Sequence, residues 1–553
     1  MRLKNLFGMA AMLALAASCS ENELVESGGT GANENGPHYA TFTIKLPTTN
    51  GTRAAGDPTY EDGTPNEYAV NNATLLVFRG DAGGNEADAE FVESVELGDM
   101  KPWTGVDDDP NVITTEANIT AKLNNFESSY TGNYYAVIML NNNMTGNKKV
   151  KLPVNGNTFS DWQKANVINS MASEVNGFYM ANAVKVNGTT TSTLVTIDKN
   201  KVTTNESAAQ SAATIYVERG VAKVTMTAFS EMDVKGLTGD KVTITAWDLD
   251  VTNKKSYPVH NVDNYDSYGD YWGNIWEEPR FTSGHTRFNR AHWGIDPNYS
   301  TISNDQKYTD DFNYKPKTYD FSATSDATAP KYCLENTFSL GHMYQNQTTR
   351  VIMKATYVPS GLTAGETFYM FDGKSGYFTE GTLTTQISTA ITNAGYTAAD
   401  FSLPLTDVKK AGKHLLTAND ITNTSGSVEV NDEFLGKVNA ALGLSDNKKI
   451  STYYGGVSYY IARIKHFGDA LTPWNSGDPT YGTGEVAKKK YLGRYGMVRN
   501  NWYELQVNSI SNPGSPDVPE VNPDTPDDEG DKYYINCSVR ILSWAKRVHG
   551  IDL

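Results

Sequence analysis

Short runs in which every second side chain is apolar recur along this chain, each bounded by Gly, Asn or Asp. In "YATFTIKL", Tyr39 to Leu46, the residues Ala40, Phe42, Ile44 and Leu46 face one way, and Tyr39, Thr41, Thr43 and Lys45 the other. A repeat of two belongs to a half-buried strand, whereas a helix repeats at 3.6. "ATLLVFRG" ends at Gly80, "NYYAVIMLNNN" runs from Asn133 to Asn143, and "ATIYVERGVAKVTMTAF" from Ala213 to Phe229. The near-continuous apolar run of the second of these marks a central strand. Further strands are read in "DKVTITAWDLDVTN", "TTRVIMKATYV", "ETFYMFDG", "YYGGVSYYIARIKHF" and "NWYELQVNSI". Only "DWQKANVINSMAS" and "VNDEFLGKVNAALGL" read as helices. Many short strands joined by tight turns predict an all-β fold of β-sandwiches.

A chain of 553 residues is too long for one core. We expect two tandem β-sandwich domains of transthyretin-like, Greek-key type, with a few short helices and a tethered last strand. A boundary near Glu231, between two sets of strands, gives domains at residues 54–231 and 232–510. Residues 511–532, "SNPGSPDVPEVNPDTPDDEGDK", are rich in Pro, Asp and Glu. They read as a flexible, self-repelling linker that spans at most about 70 Å. Residues 533–553 follow it.

The first residues form a secretory signal: Arg2 and Lys4, then a short apolar run, then "LALAASCS". Small residues directly before Cys19 have the form of a lipobox, in which cleavage leaves a lipid-bearing thiol. Residues 1–18 are then the lipoprotein signal peptide and residues 19–53 a propeptide. An ordinary signal peptide with an incidental cysteine is the plainer alternative. Cys333 and Cys537 remain, and two cysteines far apart in sequence are weak grounds for a bridge. The net charge of −17 repels phosphate backbones, which argues against nucleic acid as a partner.

The two ends of the chain answer each other. After the linker, Ile535, Cys537, Val539 and Ile541 alternate, followed by Trp544. An orphan amphipathic strand is an aggregation hazard, so it needs a seat. "YATFTIKL" has the same form, and the soft segment "TTNGTRAAGDP" ties it to the rest. That segment holds one isolated cation, Arg53. Burying four apolar side chains gives roughly 6–12 kcal/mol before ordering costs. While the first strand is tethered, its effective concentration is at least about millimolar, and an intermolecular strand competes poorly. Cutting between Arg53 and Ala54 would make Ala40, Phe42, Ile44 and Leu46 a removable plug, and β-strand addition would refill the groove. The alternative is that Arg53 is one more solvated arginine.

Catalytic constellations are missing. The eight histidines are scattered, with no HExxH, and there is no GxSxG, P-loop or GxGxxG opening a helix. Cys333 reads as a core residue. Asp107 to Asp109 and Glu277–Glu278 read as acidic loops and not as an acid/base pair. We expect no enzyme, no catalytic residue, no metal and no cofactor. The aromatic stretch "DNYDSYGDYWGNIWEEPRF", Asp263 to Phe281, is the candidate for any adhesive contact. A structured loop covering a sheet edge is its plainer reading.

The chain resembles the fimbrillins of Bacteroidales, the shaft subunits of type V pili, and most closely the major subunit of the short (minor) fimbriae. The resemblance rests on "YVERGVAKV", "HWGIDPNY", "YCLENTF", "GGVSYYIARIKHFGD", "YLGRYGMVRNNWYELQVNSI" and "ILSWAKRVHGIDL". Residues from about Gly361 to Lys449 carry no such stretch. The resemblance implies export as a lipoprotein through Cys19 and the outer membrane to a surface fimbrium. It also implies cleavage at Arg53–Ala54 by an arginine-specific surface protease. Head-to-tail polymerisation would follow, with the C-terminal strand as donor, supporting adhesion and biofilm formation. The implied partners are copies of the chain itself, accessory tip and anchor subunits, the protease, and host or bacterial surface receptors. A tip or accessory adhesin needs only half of this exchange. A surface glycan-binding lipoprotein would share the lipobox and aromatic loop but would not need the tethered last strand.

Overall fold

Eight strands build the first sheet: β1 (His38–Leu46), β2 (Ala73–Gly80), β3 (Glu90–Glu96), β4 (Thr115–Leu123), β5 (Asn133–Leu140), β6 (Met180–Asn182), β7 (Val195–Ile197) and β8 (Ser211–Arg219). Their order is β3-β2-β5-β6-β8-β1-β4, with β7 paired to β5. The sheet curls until its ends meet, where Glu93 of β3 accepts the N–H groups of Asn124 and Asn125 beyond β4, at 2.9 and 3.0 Å. Inside lie Phe42, Ile44, Leu75, Val77, Ala136, Ile138, Ile215 and Val217. The computed structural model describes residues 37–46, 67, 69–97, 115–142, 149–167, 177–187, 190–227, 230–262, 293–299, 310–324, 328–338, 342–467, 472, 491–521 and 536–543.

The run read as one strand from Ala213 to Phe229 is two. β8 ends at Arg219, and β9 (Val221–Met226) opens a new sheet one residue later. The chain therefore changes sheets at Gly220. The remaining main strands are β10 (Lys241–Asp250), β11 (Lys331–Leu334), β12 (Arg350–Val358), β13 (Phe368–Phe371), β14 (Gly412–His414), β15 (Ile450–Tyr453), β16 (Val457–Arg463), β17 (Asn501–Ser509) and β18 (Asn536–Ser543). One sheet has the order β11-β9-β17-β18. A second contains β10-β12-β16. The two pack face to face around Val224, Val242, Trp247, Met353, Tyr460 and Leu505. The fold is all-β of sandwich type, as the alternation predicts.

Between β12 and β16 stands a small α/β layer, in the stretch without recognisable motifs. Its sheet, β13-β15-β14, is covered by two helices. A shorter helix, α1 (Phe159–Ala165), belongs to the first half and carries a Thr158/Asp161 capping box. Helix α2 (Glu380–Asn393) was not expected, because its many Thr residues favour strands. Thr379 caps it, and Leu383, Ile387, Ala390 and Ile391 form its buried face. Helix α3 (Asp432–Leu442), expected from its periodicity, starts at an Asn431 cap and ends at Gly443, whose φ is 79°.

The linker expected to run free from Ser511 is docked as far as Val521. Ser515 and Tyr459 exchange N–H···O bonds of 2.8 Å each, which caps the β16 edge. The hydroxyl of Tyr453 donates to the carbonyl of Gly514 at 2.8 Å. Gly514 has φ 70°, and a Cβ there would meet the Tyr459 oxygen at 2.5 Å. Val518 is 1 % exposed and packs with Phe321, Ile352 and Ile461. Composition concealed this, because two valines spaced among prolines suffice to anchor an extended segment.

Cys333 lies on β11, and residue 537 on β18, at opposite edges of one four-stranded sheet. Three strand spacings are about 14 Å, twice the largest Cα separation a disulfide spans. Burial pushes the Cys333 thiol up to about 12. We expect it to resist iodoacetamide at pH 8 in the folded protein and to react fully in guanidinium. Mass spectrometry of the alkylated chain reads this directly, and fast labelling of the native protein would refute core placement.

Candidate functional site

The site is the seat of the first strand. β1 lies between β8, to which it is parallel, and β4, to which it is antiparallel. Pairing with β4 runs its whole length, from His38 opposite Leu123 to Leu46 opposite Thr115. Both of its edges are therefore hydrogen-bonded. Among the described residues β4 has no other ladder, so β1 alone supplies its strand pairing.

Ala40, Phe42 and Ile44 are fully buried and Leu46 is nearly so. They face Leu75, Tyr134, Ile138 and Val217. The other face is held by hydroxyls. Thr43 donates to Asn118 at 2.6 Å, and its hydroxyl lies 2.8 Å from that of Ser211. The Thr41 hydroxyl lies 3.0 Å from that of Thr120. At the strand's start, Tyr39 and Thr203 exchange backbone bonds of 2.6 and 3.0 Å. Each of Phe42, Ile44 and Leu46 contributes about 1.5–3 kcal/mol by burial. Without β1 the sheet would have a groove of matching shape with two open edges.

Downstream, the chain is fixed at Glu67, which is fully buried. Its carboxylate lies 2.7 Å from Lys223 Nζ and accepts the Tyr332 hydroxyl at 2.5 Å. Its carbonyl accepts Arg219 Nε at 2.7 Å. The Lys223 ammonium also sits 3.8 Å from the centroid of Trp502, at the start of β17. Arg219 and Lys223 occur in the "YVERGVAKV" stretch, but nothing in periodicity marks Glu67 as buried. A second buried group was also not foreseen: Arg499 bonds Glu335, with Nε to Oε2 at 2.9 Å, while His260 Nδ1 is 3.2 Å from Glu218.

Arg53 and Ala54 lie outside the described residues, between the buried ends Leu46 and Glu67 in sequence. Cys19, Ile535, Trp544 and the aromatic stretch 263–281 also lie outside them. Cys537, Val539 and Ile541 fall within β18, whose backbone pairs antiparallel with β17. The structure thus places the C-terminal strand on an edge of its own chain. Among the described residues no group of His, Cys, Asp and Glu is placed to hold a metal ion. None of the described helices is long and apolar enough to cross a membrane.

Residues 451–549 match the family "Major fimbrial subunit protein type IV, Fimbrillin, C-terminal". The C-terminal part of the chain is therefore fimbrillin-like. No curated protein matches the sequence. Among solved structures, one described as a cell adhesion protein from Parabacteroides distasonis is 11% identical, with a TM-score of 0.35 over 92% of this chain and 99% of that one. Another so described, from Bacteroides eggerthii, is 12% identical, with a TM-score of 0.34 over 93% and 98%. A fimbrial assembly protein from Parabacteroides distasonis is 12% identical, with a TM-score of 0.29 over 59% and 83%. Likenesses this distant carry no argument about function.

Proposed function

We propose that this chain is a shaft subunit of a surface fimbria, activated by cleavage after Arg53 and polymerised by strand exchange. In that reading Cys19 carries a lipid during export across the outer membrane. Residues from Ala54 to Arg219, ending where the chain changes sheets at Gly220 and not near Glu231, form the acceptor domain, and residues 533–553 donate the strand. The observation that carries the reading is the position of β1, hydrogen-bonded on both edges and buried on its apolar face. A strand seated inside a sheet, with a lone arginine between it and the next buried anchor, is held only non-covalently once that arginine is cut. The fimbrillin match at the C-terminal end adds independent support. Contacts of this kind run head to tail and propagate without closing.

The test starts from the precursor lacking residues 1–19, nicked with a trace of trypsin-like protease. A new N-terminus at Ala54 and an SDS-resistant ladder in unheated samples are expected. A twin ending at Lys532 should be nicked identically and give no ladder. If the full-length nicked chain remains monomeric under all assembly conditions, the shaft reading fails. A tip adhesin or a glycan-binding lipoprotein then takes its place.

A further inference from the structure

We propose that the β17 edge is a second seat for the C-terminal strand, and that this strand must leave it before entering another subunit. The inference rests on the shaft reading. β18 is antiparallel to β17, from Ser543 opposite Asn501 to Asn536 opposite Ser509. It ends the order β11-β9-β17-β18, so one of its edges is paired. The seat of β1 makes a different demand, because a strand there is bonded to β8 on one side and β4 on the other.

Each residue brings one N–H and one C=O, and along a strand these alternate between the two edges. A strand in the β1 seat gives up both edges. β18 already commits one edge to β17. The two seats are therefore mutually exclusive, and one strand cannot bridge them by lying between two molecules.

The connection strengthens the resting seat. Because Val521 is docked, only positions 522–535 join it to β18, and 14 residues span at most about 50 Å. Confinement to that radius holds the strand at about millimolar concentration beside its own edge. A neighbour present at micromolar concentration competes at a disadvantage of about a thousandfold. Two events then gate growth: cutting after Arg53 opens a groove, and undocking of β18 supplies its occupant. The ladder is interrupted between Val507 and Ser509, at the end of β18 nearest the connection. A bulge weakens pairing locally, so peeling starts there.

A reversible staple tests this. Gln506 and Ser538 are directly opposed, and opposed antiparallel residues have Cα separations of about 4.5–5.5 Å, within disulfide range. The variant carries Gln506→Cys and Ser538→Cys with Cys537→Ala, and lacks residues 1–19. After nicking at Ala54, the oxidised protein is expected to form at least about tenfold less ladder than the reduced protein. Adding reductant should restore the ladder. Equal growth of oxidised and reduced protein, with the disulfide verified by mass, would overturn the latch and leave the shaft reading standing. If the reduced, nicked protein and its unstapled parent both fail to polymerise, the shaft reading fails and the latch with it.

Discussion

A chain that starts at Ala54, and so lacks β1, is expected to lose cooperative folding of its first sheet. It should regain it when a peptide of residues 37–46 is added. Phe42, Ile44 and Leu46 together account for roughly 5–9 kcal/mol of burial, against a total of about 5–15 kcal/mol for a typical domain. β4 loses its ladder at the same time, and the groove exposes Tyr134, Ile138 and Val217. Calorimetry should show an early transition for the first sheet, separate from that of the later sandwich. Tethered β1 acts at about 1 mM, so peptide at about 0.1 mM should restore all but about 1.4 kcal/mol, the value of a tenfold ratio. A peptide with Phe42→Asp should do nothing, because it would bury an unpaired carboxylate. A truncated chain that melts like its parent would show that β1 is not integral to the sheet.

Where one face of an element is buried and alternates strictly, the sequence makes it readable. Ala40, Phe42, Ile44 and Leu46 are such a case, since a slip of one residue would turn all four to the hydroxyl-bonded face. Helix α3 was readable for the same reason at period 3.6. Helix α2 has the right spacing from Leu383 to Ile391, but Thr at half of its exposed positions masks it, because local propensity opposes the tertiary contact that decides. Residues 511–521 misled in the opposite sense. Their polarity predicts solvent, while Val518, the Ser515–Tyr459 bonds and the Tyr453 hydroxyl fasten them to a sheet edge. Buried charge is hardest to read, since nothing local distinguishes Glu67 from an exposed glutamate. Its partners lie more than 150 positions away, on strands whose juxtaposition only the fold creates.

That buried pair supports the second strong prediction. Lys223→Met should cost about 3–5 kcal/mol, because it removes the ammonium that lies 2.7 Å from the buried Glu67 carboxylate. Adding Glu67→Gln should recover a large part of the loss, because the buried carboxylate charge is then gone. Urea midpoints of the two single variants and the double variant form the cycle that isolates the pair. The consequence for assembly follows from position. Once the chain is cut after Arg53, Glu67 is the buried point that keeps the new N-terminal segment from peeling back toward β2. In the cut Lys223→Met protein, amide exchange at residues 69–73 should accelerate, while exchange in β13 and β15 stays unchanged. Loss of stability spread evenly over the chain, with no faster exchange at 69–73, would show that the pair serves the core as a whole and does not anchor the cut end.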